Sequence, residues 1–186
     1  NNLEILKAQQ IASFRQRRFD QSRLINQRVN SIEWSNEQLN TAVGLLDRGE
    51  SGEALATLEQ LAKAQPSLYQ ARLLQFRELA LQRNFSAAEE VARELQQRLP
   101  DSALPPLLLG IALAGQGDDQ TAQQQLDIAW QRAPGHPAIA ARLAVLALSH
   151  GDTAKAADYY RQVLKQHPGH GATLKQLAML ASQRDD

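Results

Sequence analysis

Four prolines recur at a constant interval along this chain. Pro66, Pro100, Pro134 and Pro168 are separated by the same thirty-four positions each time. An alanine lies twelve residues before each proline: Ala54, Ala88, Ala122 and Ala156. A second column, seventeen residues before the prolines, holds three glycines and one arginine: Gly49, Arg83, Gly117 and Gly151. A fixed period of this length is the signature of a repeat protein, in which each unit buries its apolar face against its neighbours.

Each column has a physical role in a unit made of two helices. Glycine allows the tight turn between the helices, the small alanine lets them approach closely, and proline ends the second helix. Ala, Leu, Gln, Arg and Glu dominate the composition, and these residues favour helix. Aromatic residues make up only 5%, and β-branched residues form no alternating runs. The sequence therefore predicts an all-α protein.

The pattern resembles the tetratricopeptide repeat family. In the third unit, Gly110, Gly117, Ala122, Leu126 and Pro134 fall on the family's small, turn, apolar and proline positions. The resemblance covers four repeats, at residues 35–68, 69–102, 103–136 and 137–170. It implies an α-solenoid that winds into a right-handed superhelix, with the first helix of each repeat lining the concave face. The chain departs from the family where a tryptophan is expected early in the first helix: Gln38, Arg72, Pro106 and Ala140 stand there.

The two ends of the chain each allow two interpretations. Residues 1–34 read as a degenerate helix pair, with helices expected over 3–14 and 18–30, or as an N-terminal arm. In the repeat frame, Asp20 takes the alanine column and Ile32 the proline column. Residues 171–186 read as a capping helix, or as the first helix of a truncated fifth repeat. Helices exposed at both ends also suggest self-association through them.

The N-terminal segment is basic although the whole chain has a net charge of zero. Residues 1–34 hold six basic and three acidic residues, so the remainder is correspondingly acidic. The cluster Arg15, Arg17 and Arg18 reads as a solvated turn, or as a contact for an anionic membrane surface or an acidic partner.

The family resemblance also implies which residues face a ligand. These occupy fixed positions of the first helix of each repeat, and they combine apolar side chains with isolated cations. The partner-binding residues implied are Leu73, Arg77, Leu104, Leu107, Leu108, Ile111, Arg142, Val145, Lys175 and Met179. Leu107 and Leu108 could equally be core. An apolar groove suits an amphipathic helix or an extended apolar peptide, and Leu108→Asp or Ile111→Asp should abolish its binding. Leu39 and Val43 stand where members that bind acidic chaperone tails carry a Lys/Asn clamp, so such tails are not the expected ligand.

Several classes of chemistry lack their residues in this sequence. The absence of cysteine excludes disulfides, thiolate catalysis and thiolate-bound metals. A neutral chain is a poor match for nucleic acid, and no apolar run reaches the length of a membrane span. His167 and His170 flank a Pro-Gly turn without a nearby carboxylate, so no metal is expected there. No phosphate loop or hydrolase motif is present, which predicts a non-enzymatic chain without a cofactor.

Two functions from different classes are consistent with this sequence. The first is a scaffold that holds a partner's segment within a larger bacterial assembly of the envelope or exopolysaccharide export type. The second is a regulatory or targeting domain of a longer enzyme such as a glycosyltransferase. Fifteen arginines against five lysines suggest a GC-rich bacterial source. The compartment stays open, with the periplasm or envelope favoured over the cytoplasm.

Overall fold

The computed structural model describes residues 2–15 and 19–182 of the chain, and these form α-helices joined by short turns, without any strand. The helices are α1 (Asn2–Arg15), α2 (Phe19–Asp47), α3 (Ser51–Ala64), α4 (Tyr69–Leu81), α5 (Phe85–Arg98), α6 (Leu104–Gln116), α7 (Asp119–Arg132), α8 (Pro137–Ser149), α9 (Thr153–Gln166) and α10 (Gly171–Ser182). The prediction of an all-α array of helix pairs is confirmed. The chain divides into two compact units, Asn1–Gln75 and Phe76–Asp186.

In the N-terminal unit, α2 corrects the repeat boundary expected between residues 34 and 35. The helix runs without interruption from Phe19 to Asp47, so it joins the expected second helix of the degenerate pair to the first helix of the next repeat. The reason is local: no proline or glycine occurs between residues 19 and 43, because Ile32 stands in the proline column. Lys7 of α1 pairs with Glu33 of α2, Nζ to Oε1, at 2.7 Å. Arg17, Arg18 and the Arg15 side chain lie outside the described residues.

The core of this unit lies between α2, α3 and α4. It consists of Ala42, Leu58, Leu61, Ala62 and Ala71, all buried. Tight packing at these columns matches the small and apolar residues that the repeat places there.

One carboxylate at the edge of this core has an altered pKa. Glu59 of α3 accepts a hydrogen bond from Gln75 of α4 at 3.1 Å, and it also pairs with Arg72 and with Lys63. The bond from Gln75, aided by those from Arg72 and Lys63, lowers the pKa of Glu59 to about 2 from its ordinary 4.5, against the opposing effect of burial.

The turns within the repeats share one hydrogen-bond pattern. In the third repeat, the Gly117 N–H donates to the Ala114 carbonyl at 3.1 Å and the Asp118 N–H to the Leu113 carbonyl at 3.0 Å. The other three turns repeat both bonds, which satisfy the last carbonyls of the preceding helix. Arg83 keeps the pattern with a φ of +60°, a conformation that glycine adopts more easily.

The helix after each of the last three turns begins with a side-chain cap. Asn84, Asp118 and Asp152 accept a hydrogen bond from the backbone N–H three residues on. They occupy the same position of successive repeats, so the cap is a repeat feature. Asp118 accepts hydrogen bonds from the side chain and from the backbone N–H of Thr121. These hydrogen bonds lower the pKa of the Asp118 carboxyl group.

The C-terminal unit buries its core between successive helices. Gly110 of α6 lies in close contact with α7, where an added Cβ would be 2.5 Å from Leu126 Cγ and 3.2 Å from the Ala122 carbonyl oxygen. Only a residue without a side chain allows this approach. Trp130 of α7 packs edge-on against Tyr159 of α9, with ring centroids 5.7 Å apart.

Candidate functional site

Helices α5 to α10 divide by charge into two sets. We call α6, α8 and α10 the A helices, the first helices of successive repeats, and α5, α7 and α9 the B helices. Over their described lengths the A helices carry no acidic residue, and their charged residues are Arg142 and Lys175 alone. The B helices all carry both acidic and basic residues. The A helices therefore offer a different chemistry to a partner.

One position of the A helices recurs as an accessible apolar side chain. Ile111, Val145 and Met179 are each separated by one repeat length. Val145 is 56% exposed and Met179 is 48% exposed, whereas Ile111 is half-buried. Arg77 stands at the same position of α4 and is exposed. Accessible apolar side chains therefore recur at this one repeat position of the A helices.

A cavity brings three of the predicted residues together. Ile111 of α6 and Arg142 and Val145 of α8 line a volume of about 250 Å³, together with Phe85 and Leu126. A second depression of about 280 Å³ lies between α8 and α10 and shares Val145 with the first. Its other walls include Ala141, Tyr160 and Gln176. We call the two depressions together the A-helix groove.

The two cations of the A helices differ in their surroundings from two arginines of the B helices. Within the described part of the chain, Arg142 and Lys175 are exposed and form no ion pair. On the B helices, by contrast, Arg93 pairs with Glu89 and Arg161 with Asp158, each at 2.6 Å. The cations of the A helices remain available to a carboxylate of a bound segment.

Seven of the predicted site residues line neither depression of this groove, and three of them, Arg77, Lys175 and Met179, are exposed on α4 and α10 outside it. Leu107 and Leu108 are buried, which favours the core over the groove, the two interpretations that the sequence allowed for them. The reason is that α6 contacts α5, α7 and α8, which leaves few positions of this helix open to solvent. Leu104 is half-buried at the start of α6 and does not line the groove. Leu73 is half-buried in α4 and belongs to the N-terminal unit.

Two aromatic residues that line the groove were not among the predicted site residues. Phe85 begins α5, and its ring fills the space that a side chain at Gly115 would need. The sequence contains a signal for Phe85, because it is an aromatic residue at a repeat position where the other repeats have Ser51, Asp119 and Thr153. Tyr160 forms part of the floor between α8 and α10, and burial raises the pKa of its phenol.

His170 has a structural role at the end of the groove. Its Nδ1 lies 2.8 Å from the hydroxyl of buried Thr173 and accepts a hydrogen bond from the Thr173 N–H at 3.3 Å. The ring thereby caps the start of α10. Among the described residues, no three His, Asp or Glu side chains come close enough to share a metal ion.

The sequence model of the tetratricopeptide repeat family matches residues 39–103 and 107–170. The chain belongs to the tetratricopeptide repeat family. Members of this class stack helix pairs into solenoids, and the fold is a scaffold for protein–protein interaction. No curated protein matches the sequence. None of the helices in the described ranges is long and apolar enough to span a bilayer.

Solved structures share this fold at low sequence identity. A thermophilic tetratricopeptide repeat protein of Thermus thermophilus is 20% identical, with a TM-score of 0.70, and the alignment covers 96% of this chain and 98% of that one. Pseudomonas aeruginosa pilF is 20% identical over 84% of this chain and 71% of its own, with a TM-score of 0.66. MamA of Desulfovibrio magneticus RS-1, from residue 41 to its end, is 14% identical over 92% and 98%, with a TM-score of 0.61.

Proposed function

We propose that this chain is a non-enzymatic scaffold that holds an amphipathic segment of a partner protein in the A-helix groove. The observation that carries the proposal is the joining of Ile111, Arg142 and Val145 around one cavity. An apolar side chain of the partner fills the cavity beside Val145. A carboxylate of the same segment reaches Arg142 at the rim.

The charge of the groove specifies the partner further. Because the A helices have only cations over their described lengths, an acidic and apolar segment gains attraction at both Arg142 and Lys175. A basic segment meets like charge and is disfavoured. Burial of the exposed part of Val145 and Met179 supplies the apolar contribution to binding.

We further propose that the scaffold organises a larger bacterial assembly, of the envelope or exopolysaccharide export type, in the periplasm or at the envelope. The arginine-rich composition supports the bacterial part of this proposal. The competing role, a targeting domain of a longer enzyme, predicts that the captured partner is a substrate or regulator of that enzyme.

A crosslinking pull-down from the source cell tests the scaffold. The Arg142→Glu variant should lose the partner that the unmodified chain captures, since it reverses the rim charge. Lys165→Glu, which reverses an exposed charge on B helix α9, is the matched control and should retain the partner. A partner set that Arg142→Glu leaves unchanged contradicts the assignment of this groove.

A further inference from the structure

The two depressions of the A-helix groove are equivalent in the repeat. Three residues that line the depression between α6 and α8 lie one repeat length before three residues that line the depression between α8 and α10. These pairs are Ile111 and Val145, Leu126 and Tyr160, and Arg142 and Gln176. We call the depression between α6 and α8 subsite 1 and the depression between α8 and α10 subsite 2.

Both subsites have the size and the lining of a pocket for one apolar side chain. Their volumes are about 250 and 280 Å³, below the roughly 300–1,000 Å³ of small-molecule pockets. Subsite 1 contains buried Leu126 and the ring of Phe85, and subsite 2 contains buried Tyr160. Val145 borders both subsites. A segment that crosses α8 therefore places one apolar side chain on each side of Val145.

The subsites differ in charge at one pair of equivalent positions. Arg142 and Gln176 are both exposed, but the guanidinium group is always charged and the amide is neutral. Arg142 is the one Asp, Glu, Lys or Arg among the described residues that line subsite 1, and subsite 2 has none in its described lining. His170 also lines subsite 2, where its Nδ1 lies 2.8 Å from the Thr173 hydroxyl in the cap of α10.

This difference decides where an acidic residue of the segment lies. A carboxylate that loses water in the groove needs a compensating partner. At subsite 1 the guanidinium of Arg142 supplies both charge and paired donors, whereas at subsite 2 the amide of Gln176 supplies a neutral donor. Lys175 lines neither subsite, so it does not complete a second cationic pocket.

We infer that Arg142 fixes the direction in which the partner's segment lies across α8. An acidic residue flanks the apolar side chain in subsite 1, and an uncharged residue flanks the apolar side chain in subsite 2. This order of residues rests on the proposed function and goes one step further, since it sets which end of the segment meets α6.

A peptide selected by the full chain from a phage-displayed random library is the probe. Its affinity for each variant is measured by fluorescence anisotropy. Arg142→Gln should weaken binding by about tenfold, because a charge-assisted hydrogen bond is lost. Lys175→Gln removes the same charge from an exposed A-helix position outside both subsites, and it should weaken binding by less than about threefold, since solvent screens that charge.

The double variant Arg142→Gln/Gln176→Arg moves the cation from subsite 1 to subsite 2. The peptide, with a photoreactive group at the end nearest its acidic residue, should regain its affinity. Its crosslinks, mapped by mass spectrometry, should move from α6 in the unmodified chain to α10 in the double variant. Circular dichroism should show unchanged helix content, because both positions are exposed.

The outcomes separate this inference from the proposed function. Crosslinks that stay in place in the double variant, or equal losses of affinity in Arg142→Gln and Lys175→Gln, overturn the inference while the groove still binds its segment. A library that yields no peptide released by Val145→Asp, a change at an exposed residue of both subsites, contradicts the proposed function and the inference with it.

Discussion

At the scale of single residues, Arg83 shows how a repeat turn tolerates a departure from its pattern. Its φ of +60° lies in the left-handed region, where a side chain costs about 1–2 kcal/mol. Gly117 holds the equivalent place in the next turn with a φ of +86°. The turn geometry is therefore fixed by the backbone hydrogen bonds, and the residue at this position adapts to it.

We predict that Arg83→Gly stabilises the C-terminal unit. The substitution relieves the left-handed strain at this position, but glycine also has a greater conformational entropy in the unfolded chain. The net effect should be an increase of about 0.5–1 kcal/mol in the free energy of unfolding. Urea denaturation followed by Trp130 fluorescence, in a Trp34→Phe background, measures it. The reciprocal Gly117→Arg should be destabilising by about 1 kcal/mol, and a destabilised Arg83→Gly would refute this reading of the turn.

A second prediction concerns the pH dependence of the N-terminal unit. The folded pKa of Glu59 lies below its ordinary value, so its stabilising contribution is present above about pH 4.5 and is lost as the pH falls towards 2. Glu59→Gln should be less stable than the unmodified chain at neutral pH, and the difference should shrink below about pH 4.5. The measurement is the urea midpoint of unfolding at a series of pH values. It is followed by the fluorescence of Trp34 in a Trp130→Phe background. Glu37→Gln, at an exposed carboxylate of α2, is the control that should leave the pH dependence as it is.

At the scale of helices, the sequence determines where the repeats break and where they do not. Glycine and proline predicted the ends of α3 and of α5 to α9, because these residues act on the backbone locally, whereas α4 ends before Arg83. The continuity of α2 across residues 31–34 was not predicted, since the repeat frame imposed a boundary where no breaking residue stands.

The continuity of α2 makes a testable claim about Ile32. Proline at this interior helix position should reduce the stability of the N-terminal unit by about 3 kcal/mol, because it removes a backbone hydrogen bond and clashes with the preceding turn. Ile32→Ala is the control for the lost side chain and should cost less than about 2 kcal/mol, since Ile32 is only half-buried. Urea denaturation in the Trp130→Phe background compares them, and equal losses would contradict a continuous helix.

Local sequence patterns also predicted only part of the candidate site. The repeat register relates Ile111 to Val145, which are one repeat length apart, and the family resemblance added Arg142; the three residues line one cavity. Burial of Leu107 and Leu108 depends on three neighbouring helices, which no local pattern encodes. Leu108→Asp would therefore disrupt the core of the unit and is unsuitable as a test of binding.

At the scale of the molecule, a net charge of zero conceals a separation of charge. Apart from Glu78 of α4, the acidic residues of the C-terminal unit lie on the B helices and turns over the described ranges, and the A helices keep isolated cations in an apolar surface. This arrangement, rather than the total charge, decides which segments the groove can accept.

Site-specific photocrosslinking in the source cell tests the central claim most directly. A photoreactive phenylalanine analogue placed at Val145, in the A-helix groove, should capture a partner protein in high yield. The same analogue at Ala154, an exposed position of B helix α9, should not capture that partner. Capture at Val145 that Arg142→Glu abolishes is the result we predict. Equal capture of the same protein from both positions, or none from Val145, would contradict a partner site in this groove.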